Sequence, residues 1–327
     1  MAVSAFGQLL DSTAQLDSVL ARIVREGDVK GIKSWFSRGA SGGDSKKINI
    51  ILLCACATSR PECAQMVEVV LRHACSSIDQ AVLDDCLRLA AVYGAEETVK
   101  CLLRVGTDPR CTDADGSTPL LLELLANSWD AYADEWSRAN ARRHATSLAN
   151  QNIIRMLLRH GAAVDARTTE GRQKTPLMVA AMGSGFISLG VVRELLRGGA
   201  SLDAVDTKGR TAEAIARTTL QKPIYDRPWP QIPDRPDQYR RPGAVEAFLA
   251  LLGEVRAAGG WKRYANEPRL QLVVLRKLAE SGRAVATRGV ATRLFAPRRR
   301  VQAMGSRALP DVLFWKILEF WRTDRDP

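Results

Sequence analysis

The 327-residue chain predicts an all-α solenoid of about six helix-turn-helix units joined by short hairpin loops. A helical C-terminal cap and a terminal amphipathic helix follow. Three observations carry this expectation. A turn glycine followed by Thr-Pro-Leu, or a near variant, recurs at Gly116–Leu120, at Gly171 with Thr175–Leu177, and at Gly209 with Thr211. Each unit has an apolar stripe at helical spacing, as in Val192, Leu195 and Leu196. A glycine closes the second helix at a fixed place, at Gly106, Gly161 and Gly199. Composition agrees, because 46% hydrophobic and 25% charged residues are ordinary for a folded chain and exclude wholesale disorder.

Taken in order, the first unit is Gly27-Asp28, then Ile32, Trp35, Phe36 and Gly39-Ala40. Residues 48–78 form a degenerate unit with Ala74 in the glycine's place. Ala90-Ala91 and Gly94, then Val99–Leu103 and Gly106, supply the next helix pair. The fullest frame is Gly106-Thr-Asp-Pro-Arg-Cys-Thr-Asp-Ala-Asp-Gly-Ser-Thr-Pro-Leu120; it recurs with Gly161-Ala162, Gly171 and Thr175-Pro176-Leu177, and again with Gly199-Ala200, Asp206, Gly209 and Thr211. These residues resemble the ankyrin-repeat signature over about 16–217. Gly116 to Gly171 is 55 residues and Gly171 to Gly209 is 38, against an ankyrin period of about 33. Most of the first surplus falls at 127–148. Proline at the first helical position forfeits only an amide that would be unpaired anyway, and the threonine before it can accept from exposed amides.

The chain is expected to divide into the array at 1–218, a proline-rich linker at 219–243, a helical cap at 244–283, a basic linker at 284–308 and an aromatic helix at 309–327. The insertion 127–148 places Trp129, Tyr132 and Trp136 on one helical face, where they can lie on the array or anchor a partner. Six prolines between Pro223 and Pro242 exclude helix and central strand, so the array should end by about Arg217. Arg227–Arg235 holds Pro230-x-x-Pro233 between arginines, a pattern that proline-binding modules read, although a stiff spacer is the simpler reading. The cap should comprise a helix over Ala244–Ala257, stopped by Gly259-Gly260, and another over Pro268–Ser281. Its task would be to cover the array's last apolar face.

Charge is uneven. Residues 1–115 carry net −2, residues 116–210 net +3 and residues 211–327 net +10, with +9 inside 269–307 and a cluster at Arg298, Arg299 and Arg300. That segment is a solvated tether or a binder of nucleic acid or another anionic surface. In 309–322, Leu309, Leu313, Phe314, Ile317, Leu318, Phe320 and Trp321 share half of the helical wheel, while Trp315 falls on the charged half. So much aromatic surface must dock, on the protein's own array or on a partner. Leu309-Pro-Asp-x-Leu313 with Ile317-Leu-x-Phe-Trp321 resembles the opening of an F-box, and with helix 268–281 it resembles a suppressor-of-cytokine-signalling box. Those resemblances imply a receptor subunit of a cullin-type ubiquitin ligase.

Little points to chemistry. Seven cysteines, all between Cys54 and Cys111, lack zinc-ligand spacing and read as small buried apolar side chains. Three histidines, His73, His144 and His160, have no nucleophile at a motif spacing. His73 and His160 precede a repeat's end, where ankyrin units often use histidine to hydrogen-bond a neighbour. No enzyme activity, cofactor or metal is expected. The ankyrin resemblance implies a protein-binding scaffold or adaptor that uses the hairpin tips and the concave face. On this chain the exposed contact candidates are Asp113, Asp115, Arg167, Glu170, Asp206 and Lys208, with Trp315 and Trp321 in the tail. No run is long enough to span a bilayer and no export signal opens the chain, so a monomer in the cytoplasm or nucleus is expected, with protein rather than nucleic-acid partners.

Overall fold

The computed structural model describes residues 16, 18–38, 45–58, 60–74, 78–113, 115–126, 148–167, 173–182, 189–221 and 243–280. The chain falls into two compact units, Met1–Ala250 and Leu251–Pro327. Among the described residues there are thirteen helices and no strand. They are α1 (Ser18–Glu26), α2 (Val29–Ser37), α3 (Ser45–Cys56), α4 (Pro61–Ala74), α5 (Gln80–Val92), α6 (Glu96–Val105), α7 (Pro119–Ala126), α8 (Leu148–Arg159), α9 (Pro176–Met182), α10 (Leu189–Arg197), α11 (Ala212–Gln221), α12 (Ala244–Ala257) and α13 (Trp261–Glu280). No described helix is long and apolar enough to cross a membrane.

From α1 to α11 the packing follows two rules. Each odd-numbered helix packs on the next helix as a hairpin, from α1 with α2 to α9 with α10. Each helix also packs on the one two places along, so α1, α3, α5, α7, α9 and α11 make one row and α2, α4, α6, α8 and α10 make the other. A nine-residue helix such as α10 is marginal alone. What holds it is the burial of Val191, Val192, Leu195 and Leu196 between neighbours. The same arithmetic applies along the stack, where Ile51, Leu52, Leu87, Leu102, Leu120 and Leu177 are all closed to solvent. This is a helical solenoid whose units complete one another's interiors.

Local chemistry sets the helix ends. Asp28 caps α2 by accepting from the amides of Lys30 and Gly31 at 3.1 and 3.0 Å. Pro119 and Pro176 open α7 and α9 at the expected place, and the Thr118 and Thr211 hydroxyls accept from Leu121 and Ala214, each at 3.3 Å. At the far end, Gly106, Gly161 and Gly199 take φ of 97°, 96° and 93°. Their amides return to the carbonyls of Leu103, Leu158 and Leu196, and the next amide in each case reaches the carbonyl one residue earlier, of Leu102, Leu157 and Leu195. Gly259 and Gly260 close α12 with the same pair of bonds, to Arg256 and Val255.

The cysteines are packing residues. Cys56, Cys63 and Cys86 are buried, Cys54, Cys101 and Cys111 half-buried, and all six are free thiols. Burial, with the neighbouring Cys86 thiol, pushes Cys54 up to about 11 and Cys56 well above its ordinary value. No metal-holding group of His, Cys, Asp or Glu occurs among the described residues.

Three expectations are corrected here. The helix expected from Pro268 begins at Trp261, and Pro268 lies inside it rather than at its first position. The helix expected to end the array by Arg217 continues to Gln221. Among the described residues, His73 and His160 do not join neighbouring units by hydrogen bonds: His160 Nδ1 lies 2.9 Å from the Met156 carbonyl of its own helix, and the His73 ring stacks on Phe36 at 5.0 Å. The aromatic insertion 127–148, apart from Leu148 in α8, lies outside the described residues. So do Pro223–Pro242, Glu170, Arg298, Arg299, Arg300, Trp315 and Trp321.

Candidate functional site

The loops that join one hairpin to the next form a series of fingers. Finger 1 is Gly106–Thr118, finger 2 is Gly161–Thr175 and finger 3 is Gly199–Thr211, the tip of finger 2 lying outside the described residues. Fingers 1 and 3 share one backbone plan. In finger 1 the Asp113 amide donates to the Ser117 carbonyl at 3.1 Å and Gly116 N–H donates to the Asp113 carbonyl at 3.0 Å. In finger 3 the Asp206 amide donates to the Arg210 carbonyl at 3.0 Å and Gly209 N–H to the Asp206 carbonyl at 2.9 Å. The aspartate side chain completes each turn. Asp113 Oδ1 accepts from the amides of Asp115 and Ser117 at 3.0 and 2.7 Å, and Asp206 Oδ1 accepts from Lys208 and Arg210, both at 2.9 Å.

Asp206 is therefore not an exposed contact. It is 4% exposed, and its second oxygen takes a forked pair from the Arg210 guanidinium, at 3.1 Å from Nε and 2.7 Å from Nη2. Burial works to raise this carboxyl, but the bonds from Arg210 and from the Arg210 and Lys208 amides outweigh it and hold the pKa at about 2. Asp113 and Asp115 are half-buried, and Asp113 is committed to its own turn. Lys208 stands exposed at the tip of finger 3 beside Val205, which is 42% exposed. Arg167 is exposed too, but its guanidinium spans to the Val205 carbonyl at 2.9 Å.

That last bond belongs to a set that sequence spacing did not reveal. Arg88 Nη1 donates to the Thr112 carbonyl at 3.1 Å, Arg110 Nε to the Gly161 carbonyl at 2.7 Å, and the Ser201 amide to Asp165 at 3.1 Å. The Arg88 bond ties finger 1 to helix α5, and the other three bonds tie each finger to the next and fix their spacing. Behind them, Glu194 of α10 is buried and accepts from Arg155 of α8 at 2.9 and 2.7 Å and from Gln151 at 3.3 Å. Glu194 sits within an apolar stripe, and nothing in its local pattern marks a partner 39 residues away.

A family model for ankyrin repeats, in three copies, matches residues 87–206. This stretch is an ankyrin-repeat array. It begins inside α5 and ends in finger 3, and the packing of α1–α4 before it and α11 after it follows the same two rules. Ankyrin repeats are protein–protein interaction modules and are generally non-catalytic, so the array implies protein partners. Among the described residues, Asp113, Asp206, Arg110, Asp165 and Arg167 shape the fingers or tie them together.

Proposed function

We propose that this protein is a non-catalytic adaptor that takes its partners on the ankyrin finger tips and on the row of helices behind them. The observation that carries this reading is the self-sufficiency of the fingers. Asp113 and Asp206 satisfy the turn amides from within, so Asp115, Val205 and Lys208 are presented on backbone already ordered before binding. A partner meeting such a surface avoids the entropy cost of ordering a loop. The test is proximity labelling with the full-length protein against a Val205→Asp/Lys208→Glu variant. Loss of a defined subset of partners, with the thermal midpoint unchanged, supports the reading. An unchanged set of partners refutes it.

A second reading, a cullin-type ubiquitin-ligase receptor, draws on the aliphatic residues of α13, where Leu270, Val274 and Leu275 are exposed. Here the array would hold a target while α13 and the tail hold the ligase. Capture of elongin, Skp or cullin that is lost with residues 309–327 separates this from a plain adaptor.

A further inference from the structure

Helices α8 and α10 carry arginine, not a balanced mix of charges, on the sides that face solvent. α8 has Arg155 and Arg159 and no carboxylate, and α10 has Arg193 and Arg197 against Glu194, so the two together hold net +3. Arg159 and Arg197 are exposed, and Arg155 and Arg193 are half-buried. Earlier helices of the same row are compensated. On α4 Glu68 pairs with Arg72 at 2.9 Å, and on α6 Glu97 pairs with Lys100 at 3.5 Å.

The repeat brings the four arginines together. Arg155 and Arg193 each lie six residues before the closing glycine of their unit, and Arg159 and Arg197 each lie two before it. α8 and α10 pack directly on one another, which sets their axes about 8–10 Å apart. Along each helix the two arginines share one face about 6 Å apart. One buried carboxylate serves the whole group. Glu194 Oε1 accepts from Arg155 at 2.9 and 2.7 Å, and its Oε2 lies 3.7 Å from Arg197 Nη1. Arg159 and Arg193 have no hydrogen bond or ion pair among the described residues, and Arg193 Nε is closed to solvent with no acceptor. A helix C-terminus favours cations in its last turn, which accounts for Arg159 and Arg197 but not for Arg155 and Arg193, a turn earlier.

We propose that this arginine quartet is a docking surface for an acidic segment of a partner protein, a helix with carboxylates at four-residue steps. Carboxylates on one face of such a helix recur about every 6 Å, the spacing of the arginines along α8 and α10. Each guanidinium offers a carboxylate a fork of two N–H donors. Two features favour protein over nucleic acid. Neither helix carries an aromatic side chain on which a base could stack. Both also belong to the ankyrin array, which implies protein partners. The proposal rests on the adaptor reading for the partner's being a protein, and adds to it a surface and a chemistry apart from Val205 and Lys208.

Fluorescence anisotropy on the full-length protein tests this. The probe is a dye-labelled, alanine-based peptide with glutamate at every fourth position, compared with its glutamine counterpart. Arg159→Glu/Arg193→Glu should weaken binding of the glutamate peptide about tenfold or more, with the thermal midpoint unchanged. Arg159→Gln/Arg193→Gln adds no like charge and should weaken it in the same direction, which keeps the test open if the reversal unfolds the array. Arg298→Ala/Arg299→Ala/Arg300→Ala should leave most of the affinity in place. Three results overturn the proposal. The first is equal binding of the two peptides, or no binding. The second is equal affinity in wild type and the Arg159/Arg193 variants, which would give any attraction to the basic segment. The third is tighter binding of an oligothymidylate that the same two changes abolish, which would assign the surface to nucleic acid. Val205→Asp/Lys208→Glu should not move the peptide's affinity, so a failure of the finger-tip reading is told apart from a failure here.

Discussion

Helices α10 and α13 put aliphatic side chains to opposite uses. The first has nine residues, of which Val191, Val192, Glu194, Leu195 and Leu196 are buried, and it stands only because α8 and α9 flank it. The second has twenty residues, more than twice the length, and Tyr264 is its one buried side chain among those described. Intrinsic helix stability grows with length, which favours α13 although Pro268 inside it works the other way, while α10 is too short to stand alone. A short helix in this protein is a product of its neighbours. The long one keeps Leu270, Val274 and Leu275 exposed.

The sharpest way to break that contrast is to cut into each side of it. Leu102, fully buried in α6, should cost about 2–5 kcal/mol when changed to alanine, read by equilibrium denaturation of the array. Val274→Ala in α13 should shift the same transition by less than about 0.5 kcal/mol. Similar losses from the two would remove the distinction.

The next largest effect belongs to the polar link between α8 and α10. Glu194→Ala strands the Arg155 guanidinium, which keeps a quarter of its side chain in water. That exposure puts the cost at the low end for a broken buried pair, about 3 kcal/mol. Arg155→Met/Glu194→Leu should recover most of it, as measured by the denaturation midpoint.

Asp206 sharpens the comparison through pH. Its carboxyl is depressed from the ordinary 3.8 to about 2 in the folded protein. The folded state therefore binds the proton less readily than the unfolded chain does. The resulting stabilisation is fully present above about pH 4 and disappears as pH falls toward 2, about 2 kcal/mol in all. Asp206→Asn should flatten that part of the stability-versus-pH curve and lower stability at pH 7. A slope unchanged between pH 4 and 2 would show that finger 3 is not organised by this carboxylate.

The smallest effect isolates backbone from packing. A Cβ added at Gly199 meets nothing within 4 Å, but φ there is 93°. Gly199→Ala should therefore cost only the left-handed backbone penalty, about 1–2 kcal/mol, with no change in side-chain packing. Thermal unfolding of the variant measures it, and a larger loss would mean that the closure of α10 also carries tertiary contacts.

Much of this architecture could be read from short windows. The closing glycines at 106, 161 and 199, the prolines that open α7 and α9, and the span of α12 are all settled by residues within one turn of one another. α13 shows where such reading stops. Pro268 signals a helix start, yet helix forms through it from Trp261, because interior proline is costly rather than forbidden. The candidate surface was legible as a place but not as a set of groups. Finger positions followed from the repeat, and Lys208 is exposed where expected, but Asp206 and Arg167 were already committed to holding the fingers.

By itself, then, the sequence determined the class of fold, the register of the repeats and the location of the loops, since helical periodicity, capping and turn glycines act over a few residues. The tertiary structure alone decided which polar groups were spent and which were left for a partner. Arg110 finds Gly161 51 residues away, Arg155 finds Glu194 39 residues away, and Arg167 finds Val205 38 residues away. Hydrogen bonds and burial depend on distance in space, and stacking one unit on the next sets that distance.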